Sequence, residues 1–137
     1  MNAATEFDVG PLTWVKSEID LALERAVQAL DQFSAGAVSG TTDSTQIRFC
    51  RTHLHQVQGA LTIVGLDGVT QFTEALEGLL GTIETQAAHV GESAIGLVRR
   101  SLQALGLYLG GLINGQPNQP LRLLPLYREI QAERGVQ

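Results

Sequence analysis

Hydrophobic residues return at steps of three and four along four long stretches of the chain, and alternation with a period of two is nowhere sustained. Such spacing gathers apolar side chains on one helical face, so the pattern predicts helices packed on helices and no β-sheet. Leu12, Val15, Ile19, Leu23, Ala26, Leu30 and Phe33 mark the first helix, with Pro11 in the first turn, where no N–H is needed. The spacing predicts an end near Ser34. Ala35-Gly36-Ala37-Val38-Ser39-Gly40-Thr41-Thr42 then has the small, uncharged composition of a mobile connection, and Asp43 or Ser44 can cap the next helix.

Ile47, Cys50, Leu54, Val57, Leu61 and Val64 form the most regular seam, with Gly65 as its stop. The turn at Leu66-Asp67-Gly68 is so short that the third helix, marked by Val69, Phe72, Leu76, Leu79 or Leu80, and Ile83, must return antiparallel. After a loop-like Gln86–Gly91, a fourth helix carries Ile95, Val98, Leu102, Leu105, Leu109 and Leu112 and is closed by Gly115-Gln116-Pro117. A shorter fifth starts at Leu124-Pro125 and ends before Gly135. The predicted helices cover about 11–34, 44–64, 68–86, 92–114 and 124–134. This is an all-α chain: an antiparallel four-helix bundle with a short additional C-terminal helix, in a single domain over 1–137. Glycines inside helices are costly, and Gly106, Gly110 and Gly111 are read as sites of close helix packing.

Charge narrows the function. Fourteen acidic residues against nine basic ones give a net charge of −5, which disfavours nucleic acid and anionic membrane surfaces as partners. The longest uncharged apolar run, Ala104 to Ile113, is about half of what a bilayer span requires, so no membrane insertion is expected. A lone cysteine and an N-terminus without a basic or apolar targeting segment point to the cytoplasm.

Candidate chemistry is sparse. His53 and His55 diverge by about 200° around a helix and have no third ligand in register, so no metal site is expected. Cys50 sits on the apolar seam as packing. No phosphate-binding glycine loop and no Ser-His-Asp order occurs. His55, in contrast, lies about 130° from the seam centre and faces solvent, on the same side as Arg48, Thr52, Gly59 and Thr62. A helical histidine of this kind is commonly just a polar surface residue. Gly59, one turn on, removes side-chain bulk beside the ring at a position where glycine costs stability, leaving room for a partner's backbone. A neutral imidazole with that exposure is a nitrogen nucleophile suited to phosphoryl transfer. Ile63, opposite Leu54 on the helix, is also expected to be exposed and adds an apolar contact to this surface.

At His55-Gln56-Val57-Gln58-Gly59-Ala60 the chain resembles the histidine-phosphotransfer domains of bacterial two-component systems, whose motif is His-x-x-Lys-Gly followed by small residues on the second helix of a four-helix bundle. Arg48-Phe49-Cys50-Arg51, Leu124-Pro125-Leu126 and Ala132-Glu133-Arg134-Gly135 look like the N-terminal segment of the large chemotaxis-like hybrid histidine kinases that control type IV pili and twitching motility. The similarity spans roughly residues 12 to 135. It implies that His55 is the phosphoacceptor, that Gln58 stands at the phosphate-holding lysine and that Gly59 is the space-clearing glycine. It further implies receiver domains and a kinase core as partners, no cofactor in this domain, and Mg²⁺ supplied by the receiver. The parent would be a longer protein with this as its first module and its kinase catalytic domain elsewhere. Glutamine at 58 departs from the motif: it offers amide donors without a positive charge. Arg51 and Arg48, within two turns of His55, are candidates to compensate, and Gln71 or Glu74 of the next helix to orient the ring. Three readings stay open: an active phosphorelay module, a degenerate scaffold of the same fold that docks signalling partners, and a homodimerisation module using the apolar fourth helix.

Overall fold

A computed structural model describes residues 8–40, 44–86 and 90–135. In chain order the helices are α1 (Gly10–Val38), α2 (Ser44–Val64), α3 (Asp67–Thr85), α4 (Glu92–Ile113) and α5 (Leu124–Arg134), with one 3₁₀ turn at Pro120–Leu123 before α5. No strand occurs among the described residues. The all-α bundle with a short C-terminal helix is the architecture expected from the spacing.

Glycine carries the stops. Gly65 takes a left-handed φ of 89°, and the N–H groups of Gly65 and Leu66 both donate to the Leu61 carbonyl, which closes α2. Buried Leu66 then seals the turn from below. Gly115 and Gly135 end α4 and α5 in the same left-handed conformation. The end of α1 differs from the expectation: the helix continues through Ala35–Val38, and the left-handed residue is Gly40. Alanine is the strongest helix former, and two of them on either side of Gly36 carry the helix past the point where the apolar spacing fades. Asp43, one of the two capping residues proposed for α2, lies outside the described residues, as do Thr41 and Thr42.

Neighbours run antiparallel. Ile19 and Ala22 of α1 face Val57 and Ala60 of α2, and Asp31 of α1 pairs with Arg99 of α4. The core is one apolar cluster shared by all five helices, including Leu30, Leu54, Leu61, Phe72, Leu76, Leu105 and Ile130. α5 lies mainly against α3. Two α3 glycines admit the 3₁₀ turn and α5. A Cβ on Gly68 would fall 2.6 Å from the Pro120 ring, and one on Gly78 would fall 2.5 Å from the Arg134 guanidinium. The α4 glycines do not serve close helix packing as expected: Gly110 has open space, Gly111 meets the Gln116 side chain of the following turn, and Gly106 reaches only ordinary contact with Leu23. No described helix is long and apolar enough to cross a membrane.

Candidate functional site

The site grows out of the α2–α3 hairpin. Burial of Ile47, Cys50, Leu54, Val57 and Leu61 fixes the rotation of α2, and this turns His55 outward with its side chain 73% exposed. Cys50 is fully buried, and loss of hydration pushes its thiol up to about 12, which leaves it protonated and inert. The same rotation brings α2 polar residues against carboxylates of α3 in antiparallel order.

Gln58 Nε2 donates to Glu74 Oε1 at 3.0 Å. His55 Nδ1 lies 3.2 Å from both carboxylate oxygens of Glu77. Arg48 Nε donates to Glu84 Oε2, and Arg51 Nη1 lies 3.2 Å from Glu84 Oε1. The Glu77 carboxylate is only 18% exposed, so it is held while the ring above it is open to solvent. A carboxylate accepts and does not donate, so this contact selects the tautomer with hydrogen on Nδ1 and leaves the Nε2 lone pair free. One turn along, a Cβ on Gly59 would meet no atom within 4 Å, so the flank of the ring is vacant. Ile63 is 86% exposed two turns from His55. A nucleophilic nitrogen, its fixed tautomer, free approach and an adjacent apolar contact are together on one surface.

The sequence-designated residues do not all converge. His55 and Gly59 share this surface, whereas the Gln58 amide is turned to Glu74. The ring is held by Glu77, which sequence reasoning missed, and neither Gln71 nor Glu74 holds it. The signal was available in the turn: His55 and Glu77 stand at equal sequence distances on either side of Leu66, as do Gln58 and Glu74. Arg48 and Arg51 converge on Glu84 rather than on His55. His53 lies away from the surface, partly buried, with its Nδ1 enclosed and without a protein hydrogen-bond partner. Among the described residues no group of three His, Cys, Asp or Glu side chains is arranged to hold a metal ion.

The family model for the Hpt domain matches residues 12–107, more than half of the chain, from the first turn of α1 into α4. The chain belongs to the Hpt domain family. Hpt domains are helical bundles that act in phosphotransfer within two-component signalling and interact with kinases and receiver domains. The 3₁₀ turn and α5 lie beyond the matched segment. No curated protein and no solved structure gives a significant match. Within the matched segment, the α2–α3 surface couples an exposed imidazole, His55, to the carboxylate of Glu77.

Proposed function

We propose that this Hpt domain is a phosphorelay module in which His55 accepts a phosphoryl group from a receiver aspartate or a kinase and passes it on. The observation that carries the proposal is the His55–Glu77 contact: a solvent-open ring whose Nδ1 is held by a largely buried carboxylate. In the transfer, the Nε2 lone pair attacks phosphorus as the bond from phosphorus to the aspartyl oxygen breaks, and that oxygen leaves with the electron pair as carboxylate. The Nδ1 proton stays on the ring. The product therefore carries positive charge on the imidazole, and Glu77 stabilises it at 3.2 Å. Gly59 leaves the approach open to the receiver's backbone and the divalent ion it brings, which neutralises phosphoryl charge. Phosphoryl transfer demands little of the acceptor beyond position, and this surface supplies position.

The resemblance of Arg48–Arg51, His55–Gly59 and the Leu124–Leu126 segment supports a place as first module of a chemotaxis-like hybrid kinase acting on type IV pili and twitching motility, in the cytoplasm. A second reading is favoured by one observation. Gln58 brings no charge and is bound to Glu74, so a scaffold that docks receivers without being phosphorylated is the alternative. Incubation with a phosphorylated receiver and Mg²⁺ separates the two. Acid-labile, base-stable label that disappears in His55→Gln supports the relay; receiver binding without label supports the scaffold.

A further inference from the structure

The acceptor surface has a charge problem. A phosphoryl group on His55 would stand beside Glu77 and Glu74, and the side chain at position 58 offers it no cation. The cations of the same hairpin are Arg48 and Arg51, both set against Glu84.

Arg51 precedes His55 by one helical turn on the same face, a spacing at which side chains touch. Its guanidinium lies across α3 between Gly81 and Glu84. Nη1 lies where α3 has Gly81, 3.3 Å from the position a Cβ would take there, and Gly81 is itself one turn from Glu77. The glycine thus leaves a berth for the guanidinium one turn of α3 from Glu77.

The present tie of Arg51 is a loose one. Arg48 Nε makes an aligned hydrogen bond to Glu84 Oε2, but Arg51 Nη1, at 3.2 Å from Oε1, lacks hydrogen-bond alignment, and Oε1 has no hydrogen-bond partner. Glu84 keeps its bond to Arg48 if Arg51 moves, so its carboxylate is not left without a cation. Arg51 is also about two-fifths exposed, which leaves its long side chain free to swing.

We propose that Arg51 is the phosphoryl-binding cation of this domain: on phosphorylation of His55 its guanidinium leaves Glu84 Oε1 and pairs with phosphoryl oxygens, taking the part that a lysine at position 58 does not fill. A guanidinium suits this because its planar donors match phosphate oxygens and its charge does not titrate. Arg48, a further turn away and properly bonded to Glu84, stays in place. This inference rests on the phosphoacceptor reading of His55 and adds to it a residue and a movement.

Potassium phosphoramidate provides a test that needs no partner. Nε2 attacks its phosphorus, the phosphorus–nitrogen bond breaks and ammonia leaves, giving phosphohistidine whose decay is followed by intact-mass spectrometry. A guanidinium paired with the phosphoryl oxygens stabilises the phosphohistidine through charge-assisted hydrogen bonds, so it lengthens the lifetime. Arg51→Gln should shorten the half-life about fivefold, and Arg51→Lys should restore part of it. In ¹⁵N spectra of the loaded protein, the Arg51 Nε–H should shift and that of Arg48 should not. Thermal unfolding of the unphosphorylated variants identifies any that fail to fold, and the Arg51 shift in the wild-type protein keeps the test decisive in that case. Equal half-lives for wild type and folded Arg51→Gln, or an unmoved Arg51 signal, overturn the assignment of Arg51 alone. Absence of any phosphohistidine at His55 overturns the acceptor reading itself, and this assignment with it.

Discussion

His55 and Glu77 face each other across the α2–α3 hairpin, with Nδ1 of the ring 3.2 Å from both oxygens of the carboxylate. The pair joins a side chain 73% exposed to one 18% exposed, so the ring is the accessible partner and the acid the more enclosed one. Replacement of Glu77 by glutamine keeps an acceptor for Nδ1–H but removes the charge that balances the phosphorylated ring. Phosphoryl uptake by Glu77→Gln should fall about tenfold, and by more in Glu77→Ala, as expected for loss of a charge-assisted hydrogen bond. Initial rates of label uptake from a phosphorylated receiver, with circular dichroism to check the fold, measure this; an unchanged rate in both variants would separate Glu77 from the chemistry.

Gly59 gives a prediction of opposite signs. No atom lies within 4 Å of a Cβ placed there, and the residue sits inside a helix, so Gly59→Ala should stabilise the fold by roughly 1 kcal/mol. That corresponds to a rise in Tm of about 4 °C for a chain of this size. The methyl group should nonetheless slow transfer from a receiver, because it occupies the approach to the ring. Thermal melts and transfer rates on one sample check both directions.

Two glycines, one under the 3₁₀ turn and one under α5, should respond unequally to alanine. At Gly68 the added carbon would meet the rigid Pro120 ring at 2.6 Å, whereas at Gly78 it would meet the far end of the Arg134 side chain, which can move aside. Gly68→Ala should therefore cost about 1–2 kcal/mol despite the gain in helix propensity, and Gly78→Ala should be close to neutral. Urea titration of the two variants compares them; equal stabilities would contradict the packing described for Pro120.

Burial of Cys50 sets a pH dependence. The folded chain holds this proton up to about pH 12, while an exposed thiol releases it from about 9.0. Folded-state pKa above unfolded-state pKa means that the stabilisation is complete below about pH 9 and is lost progressively between about 9 and about 12. The limiting slope from this one group is ~1.4 kcal/mol per pH unit. Cys50→Ala should remove that component while lowering stability at pH 7 by about 1 kcal/mol through the small cavity left behind. Tyr108, whose phenol is also pushed upward by burial, retains its own part of the alkaline loss. Thiol alkylation at pH 8 should proceed only after unfolding.

Much of this was legible in the chain. The seam from Ile47 to Leu61 and the left-handed stops at Gly65, Gly115 and Gly135 follow from spacing and local conformational chemistry, which a single sequence contains. The outward direction of His55 and Ile63 follows from the same helical rotation. What escaped depends on contacts between helices. Ala35–Val38 reads as a loop by composition and is helical, because the true stop lies at Gly40. Glu77 escaped because nothing in α3 alone distinguishes it from Glu74; only the register about Leu66 sets one against His55 and the other against Gln58. The Arg48–Arg51–Glu84 cluster was invisible for the same reason, and the berth at Gly81 with it.

The most direct measurement is site-resolved detection of phosphohistidine after the chain is mixed with a phosphorylated receiver domain and Mg²⁺. The account predicts an acid-labile, base-stable phosphoryl group on His55, absent from His55→Gln and found on neither His53 nor the receiver-free control. A receiver that binds this surface and hydrolyses its own phosphate without ever labelling His55 would contradict it.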